Sequence, residues 1–344
     1  MKPAAVEAAG FRLLASVSIS AVNACRGRGE SERIQKNKWR DVMEINIKLI
    51  AFDLDGTFLD HNKQIPPENM RALDEAAARG VHIVPATGRI YKGVPEAIKR
   101  LPYVRYYILS NGSMLYDAQE DRALARAEIS AERAAEVLRY EDSRPVLYDC
   151  YQDGWGYMTS DMYDRAVELV TDPGILNLVK TLRTPVPELK KYLLDKNEGV
   201  QKLQVYFRDQ EERRCQYEIL PRMFPDMAVT SSVPFNLEIN ALNATKGNAL
   251  KSLSALLGLS AENILAFGDG SNDADMIRFA GVGVAMANAV DELRAAADWI
   301  TSSNTEAGVA RGIERFVLHV SPRCQVRAVL PEQECAQTIK SRTF

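Results

Sequence analysis

The sequence predicts an α/β fold, a doubly wound parallel sheet interrupted by an inserted α+β domain, and three observations predict it. Short apolar runs alternate with helical stretches from Ile47 onward; the alternation resumes after Lys246; between the two blocks the texture changes to hairpins and mixed helices. Strand alternating with helix implies right-handed crossovers and a parallel sheet.

Residues 47–52 form an apolar run that stops at Asp53, as suits a central strand buried on both faces. Pro66-Pro67-Glu68 opens a helical stretch to Arg79, with proline at its start and Gly80 past its end. A second strand is expected over 81–86, a helix over 91–100 and a third strand over 104–109. Residues 144–150 and 155–159 flank Gln152-Asp153-Gly154, and Asp-Gly between strands signals a hairpin. Helical segments near 161–170 and 187–196, a strand at 200–207, a helix over 210–223 and strand-like runs at 227–233 and 235–240 complete the insert. Helix 246–257, strand 264–267, helix 273–279 and strand 282–285 then resume the first pattern. The expected organisation is a core of 45–129 and 236–320, an insert of 130–235, a flexible extension over 1–44 and a tail over 321–344.

A chain of 344 residues fits about two domains at roughly 150 residues each. Formal net charge is −3, which gives no general basic field for nucleic acid or an anionic membrane. No run reaches ~18 uninterrupted apolar residues, so no membrane-spanning helix is expected. The five cysteines, at 25, 150, 215, 324 and 335, form no C-x-x-C pair, and His61, His82 and His319 lie far from them. That argues against a zinc site or disulfide framework and favours reduced thiols in a cytoplasm. Residues 11–24 are moderately apolar and end in Asn23-Ala24-Cys25, loosely like a lipoprotein cleavage site. Arg12 interrupts that run, so it is read as extension, with the folded unit beginning near Met43.

The chemistry-bearing residues fall at strand ends. Asp53-Leu54-Asp55-Gly56-Thr57 places two carboxylates where ligands bind in doubly wound sheets; one can attack an electrophile while the other handles protons. A plain Asp-Gly turn accounts for the same residues equally well. Gly268-Asp269-Gly270-Ser271-Asn272-Asp273 again follows an apolar strand and adds oxygen ligands for a hard cation. A calcium loop fails here, since Ala274 stands where glycine is needed and Ala280 where glutamate is needed. Thr87-Gly88-Arg89 ends the second strand, where a hydroxyl and backbone N–H groups can hold phosphate. Taken singly, it is more often an ordinary strand-to-helix turn, and Lys246 an exposed lysine. Ser110-Asn111-Gly112 ends the third strand beside the same crevice.

Together, Asp53-x-Asp55-Gly56-Thr57, Thr87, Lys246 and Gly268-Asp269-x-x-Asn272-Asp273, in that order, resemble the haloacid dehalogenase superfamily of phosphohydrolases. Ala86-Thr87-Gly88-Arg89, Ser110-Asn111-Gly112, residues 283–289 and residues 304–309 look like its Cof-type subgroup. The resemblance runs from about Ile47 to Val317. It departs at Ala241-Leu242-Asn243-Ala244, where relatives often carry proline and glycine. It implies a Rossmann-like core with a C2-type cap, and a phosphatase acting on small phosphate monoesters, sugar phosphates before pyridoxal phosphate or nucleotide monophosphates. Asp53 is then the nucleophile, Asp55 the acid and base, and Lys246 the charge that offsets repulsion. Thr87, Gly88 and Asn272 bind phosphate. Mg²⁺ is held by Asp53, the Asp55 main-chain carbonyl and Asp269, with Asp273 in support. The implied partner is a small phosphorylated metabolite, not nucleic acid or membrane, and the implied state a monomer or weak homodimer. A phosphomutase and a non-catalytic sugar-phosphate regulator are the alternatives; a P-type pump is set aside on Leu54 and the lack of membrane helices. Asp153, Tyr157 and Arg208 in the insert are read as solvated faces rather than substrate contacts.

Overall fold

The computed structural model describes residues 46–170, 173–231 and 234–319, and β1 (Leu49–Phe52) sits inside its parallel sheet with every residue buried. A run of Leu, Ile, Ala and Phe with no polar face can only be satisfied between neighbours on both sides. One neighbour is β2 (His82–Pro85), reached through the helix Pro67–Ala78, which has proline in its first turn and Gly80 at φ +79° beyond its end. The expected helix over 91–100 is instead a single turn, Tyr91–Gly93, and a short helix, Glu96–Lys99. Pro95 offers no N–H and holds Val94 extended, which breaks the run.

β3 (Tyr106–Leu109) meets the parallel sheet through one bridge, Ala86 to Ile108. It then pairs antiparallel with β4 (Met114–Asp117), which pairs with β5 (Arg122–Arg126). The sequence reading missed β4 and β5: Arg-Ala-Leu-Ala-Arg carries no β-branched residue and is largely exposed.

After the helix Ala131–Glu141 come β6 (Val146–Gln152) and β7 (Trp155–Thr159). Their two-residue loop has Asp153 at φ +49° and Gly154 at φ +71°, the positive pair that a tight hairpin turn requires. Helices Ser160–Leu169 and Pro173–Leu182 lead to β8 (Arg183–Val186), an edge strand parallel to β7. Helix 173–182 and β8 also escaped the sequence reading; Pro185 argues against a strand, and an edge position tolerates it. Helix Leu189–Lys196, β9 (Lys202–Phe207), helix Gln210–Met223, β10 (Met227–Thr230) and β11 (Asn236–Ala241) complete a six-stranded sheet ordered β10-β11-β9-β6-β7-β8. Because β11 is hydrogen-bonded to β9 and β10, this sheet extends to Ala241, past the 235 limit expected from sequence.

Helix Lys246–Leu256 returns the chain to β12 (Ile264–Gly268), which pairs with β1 on the side opposite β2. Helix Ala274–Phe279, β13 (Val282–Ala285) and β14 (Trp299–Ile300) finish the parallel sheet, ordered β14-β13-β12-β1-β2. β1, β2 and β12 therefore present their carboxyl ends along one edge.

The six-stranded sheet buries two unlike faces. Leu203, Val205, Phe207, Leu237 and Ile239 pack with Ala134, Val137, Leu138, Leu189 and Leu193 of the covering helices. Each such large side chain contributes roughly 1.5–3 kcal/mol on burial. The alternate residues Lys202, Gln204, Asn236, Glu238 and Asn240 are polar yet also buried. Among the described residues, no helix is long and apolar enough to cross a membrane. Cys150 is buried and Cys215 exposed, both as free thiols. The expectations for residues 1–44, Met43 included, and for 321–344 lie outside the described residues.

Candidate active site

Asp53 is the first residue past β1, and its N–H donates to the Phe267 carbonyl of β12 at 3.1 Å, which ties the two strand ends together. Lys246 is the first residue of its helix because Thr245 caps it, the Thr245 hydroxyl accepting from the Asn248 N–H at 3.1 Å. The turn before it holds without proline or glycine: Ala244 N–H donates to Ala241 O, and the Asn248 side chain donates to Asn243 O at 3.0 Å. The lysine is thereby sent inward. Its Nζ lies 2.6 Å from Asp53 Oδ1 and 2.6 Å from Asp273 Oδ1, and its side chain is 0% exposed.

The third carboxylate arrives from β12. Thr57 Oγ1 donates to Asp269 Oδ1 at 2.6 Å, while Asp273 Oδ2 accepts from the N–H groups of Asp269 and Gly270, each at 2.9 Å. Asp273 thus organises the loop that presents Asp269. Gly56, at φ +86°, has its Cα so close to Asp269 that a Cβ would lie 2.3 Å from Oδ2; only glycine permits this approach. Oxygens of Asp53, Asp269 and Asp273 lie within 4.8 Å of one another.

Electrostatics follow from that crowding. Burial pushes Asp53 up; Lys246 opposes this, and Asp273, Asp269 and Asp55 reinforce it. Burial, with Asp273 adding to it against the Thr57 hydrogen bond, pushes Asp269 up to about 6. Burial alone lowers Lys246, but Asp273 and Asp53 outweigh it and keep the ammonium charged.

Asp55 lies apart from that cluster. Arg89 Nε and Nη2 each donate to its carboxylate at 2.7 Å, and Lys63 Nζ adds a bond of 2.8 Å. Burial would raise Asp55, yet Arg89 and Lys63 win and hold it at about 2. The side chain is committed to these cations, which leaves its main chain as the part the resemblance assigns to a metal. Thr87 is buried behind the surface, its hydroxyl accepting from the Arg89 N–H at 3.2 Å. Its neighbours Gly88 and Arg89 form the wall.

A cavity of about 420 Å³ opens between this strand edge and the polar face of the six-stranded sheet. From the core it is lined by Asp53, Asp55, Gly88, Arg89, Asp269 and Asn272, and from the sheet opposite by Tyr151, Arg183, Lys202, Gln204, Tyr206 and Glu238. That volume suits a small ligand. Of the predicted residues, Asp53, Lys246, Asp269 and Asp273 meet directly, Gly88, Asn272 and Asp55 line the same space, and Thr87 stands behind it. Asp153, Tyr157 and Arg208 are not on its wall. The sequence reading missed Arg89, Lys63, Lys202 and Glu238 as site residues. The signal was present for two of them: Lys-Leu-Gln-Val-Tyr-Phe and Asn-Leu-Glu-Ile-Asn alternate polar with apolar, which reads as a solvated face until another sheet is found above it.

The profile of the haloacid dehalogenase-like hydrolase family matches residues 50–313. The chain is 31% identical to the 5-amino-6-(5-phospho-D-ribitylamino)uracil phosphatase YcsE of Bacillus subtilis, over 80% of this chain and 98% of that one. It is 30% identical to phosphatase YwpJ of the same organism, over 79% and 100% of the two chains. A solved haloacid dehalogenase-like hydrolase from B. subtilis superposes with a TM-score of 0.66 at 27% identity, covering 79% of this chain and 100% of that one. Another from Bacteroides thetaiotaomicron gives 0.66 at 26%, covering 78% and 99%. The match spans both blocks of the parallel sheet and every motif residue gathered at its edge, and on that ground the chain belongs to the haloacid dehalogenase-like hydrolase family of enzymes.

Proposed function

We propose that the protein is a Mg²⁺-dependent phosphatase that hydrolyses small phosphate monoesters, sugar phosphates first among them, through an aspartyl-phosphate on Asp53. The observation that carries this is the buried Asp53 carboxylate, oriented by Lys246 at 2.6 Å and open to a cavity of about 420 Å³. Three carboxylates against one lysine leave unbalanced negative charge, which adds to burial in raising Asp53 and Asp269. All donors are oxygens, so the set fits a hard divalent cation. Asp53 and Asp269 would hold it with Asp273 behind, and when bound it supplies the charge that lets a carboxylate approach a phosphate dianion.

In this reading Asp53 Oδ attacks phosphorus while the ester oxygen departs with a proton from Asp55. Asp55 then takes a proton from water, which attacks the same phosphorus, releases inorganic phosphate and restores Asp53. Lys246 fixes the attacking oxygen, and Asn272 donates to the phosphoryl oxygens. Arg89 and Lys63 hold Asp55 as a carboxylate, the form needed for the second step. Proton donation in the first step needs that pair loosened, and an anionic substrate drawing on Arg89 would do so. The six-stranded sheet serves as the cap that excludes water and selects the leaving group. The substrate named for the relative YcsE, 5-amino-6-(5-phospho-D-ribitylamino)uracil, carries its phosphate on a ribityl chain, and reduced thiols and phosphorylated metabolites suit a cytoplasmic setting.

The test is phosphate release from a panel of esters with Mg²⁺ or a chelator, alongside acid-quenched transfer of labelled phosphate to protein. Expected are metal-dependent turnover and label that vanishes in Asp53→Asn while the fold persists. Turnover by Asp53→Asn at the wild-type rate overturns the assignment, and recovery of an isomerised sugar phosphate instead of free phosphate favours the mutase.

A further inference from the structure

We propose that Asn111 is a positioning residue that couples the polar face of the six-stranded sheet to Asn272 at the phosphate site. This rests on the phosphatase reading and adds a residue to it. Ser110, Asn111 and Gly112 have φ of +49°, +61° and +100° in succession, and all three are buried. Such a run in non-glycine residues persists only where the surroundings over-determine it.

The surroundings here are the site itself. Asn111 N–H donates to Thr87 O at 3.1 Å, and Ser110 N–H to Arg89 O at 3.0 Å. A Cβ on Gly112 would lie 2.2 Å from the Thr245 carbonyl, so the loop rests against the chain that enters Lys246. It thus touches two of the segments that build the site, the turn at 87–89 and the entry to Lys246.

The Asn111 side chain then joins the two sheets. Its Nδ2 donates to Glu238 Oε2 at 2.8 Å, and its Oδ1 accepts from Asn272 Nδ2 at 3.2 Å. A carboxylate accepts only, so Glu238 fixes which end of the Asn111 amide faces it. The oxygen is left toward Asn272, which in turn fixes that amide and commits one of its N–H groups. Glu238 is itself anchored, since Lys202 Nζ lies 3.0 Å from its Oε1 and 3.0 Å from Gly88 O. Two residues along β11, Asn240 Nδ2 donates to Ser110 O at 3.2 Å. The order of contacts is Lys202, Glu238, Asn111, Asn272: the sheet that receives the leaving group sets the amide that receives the phosphate. Lifting the sheet frees Asn111 to turn over and releases Asn272.

Glycine and aspartate both tolerate positive φ, so Asn111→Gly and Asn111→Asp keep the loop conformation while changing the side-chain chemistry. Steady-state hydrolysis of a small aryl phosphate with Mg²⁺ is the measurement, with circular dichroism as the folding control. Asn111→Gly is expected to lower kcat about ten- to a hundred-fold with a smaller change in KM, as displaced catalytic amides do. Asn111→Asp sets two carboxylates face to face and should fall further. Adding Glu238→Gln to Asn111→Asp restores a donor to that contact and should recover about ten-fold, which a merely space-filling residue would not show. Asn111→Gly at the wild-type kcat, or a double variant no better than Asn111→Asp, overturns the proposal. A wild-type enzyme inert toward every ester overturns the phosphatase reading, and this proposal with it.

Discussion

The two walls of the cavity use the same ingredients in different proportions. On the strand-edge wall, Lys246 faces Asp53 and Asp273, with Asp269 beside them, so carboxylates outnumber the cation. On the opposite wall each cation has its own carboxylate, Lys202 with Glu238 at 3.0 Å and Arg183 with Asp149 at 2.8 Å. The first wall is left short of positive charge and calls for a metal. The second is neutral as it stands and offers hydrogen bonds. Chemistry and recognition are thus separated by charge balance before any substrate arrives.

The sharpest way to break this comparison is to remove each lysine in turn. Lys246→Met is expected to reduce turnover by at least about a thousand-fold and, without metal, to cost about 3–5 kcal/mol in a urea melt, because the buried Asp53 and Asp273 carboxylates lose the cation that bonds to both. Lys202→Met should cost less, about 1–3 kcal/mol, since Asn111 still donates to Glu238, and should raise KM about ten-fold more than it changes kcat. Equal losses from the two would erase the distinction between the walls.

The proposed metal requirement has a pH signature. Burial with nearby carboxylates raises Asp53, and raises Asp269 to about 6, so both bind protons more readily folded than unfolded. Without metal, their contribution to stability is present at low pH and lost as pH rises, for Asp269 through about 6. Mg²⁺ competes with those protons. Its gain in Tm should be several degrees near pH 7.5 and shrink toward pH 5; a gain independent of pH would count against the assigned ligands.

The smallest effect lies away from both walls. Glu141, on the helix Ala131–Glu141, is buried with neither carboxylate oxygen hydrogen-bonded, and burial lifts it to about 7. Its cost is absent at low pH and grows as pH rises through 7. Glu141→Leu should therefore stabilise by about 1–3 kcal/mol near pH 8 and by less near pH 5, without altering turnover. Unchanged denaturation midpoints at both pH values would refute this.

Much of the strand-edge wall was legible in sequence because its residues follow apolar runs directly: Asp53 after β1, Gly88 shortly after β2 and Asp269 after β12. Local order carries that information. The opposite wall was not legible. Lys202, Gln204 and Glu238 sit on strands whose alternation is satisfied by solvent as well as by a second sheet, and only tertiary packing decides between them. Asp55 shows the same limit, since its position was readable while its clamp by Arg89 and Lys63 depends on side-chain reach across two loops.

The split of the parallel sheet bears on how the chain folds. Thr57 and Asp269 hydrogen-bond across 212 positions of sequence, and β1 cannot gain its β12 neighbour until the chain between them is accounted for. Contacts that span so much chain form late, because loop closure comes before their reward. The β6–β7 hairpin closes over two residues and can form early. During refolding, amides of the β6–β7 hairpin should gain protection from hydrogen exchange before those of β1, so part of the cavity's outer wall takes shape before the strand edge that carries Asp53.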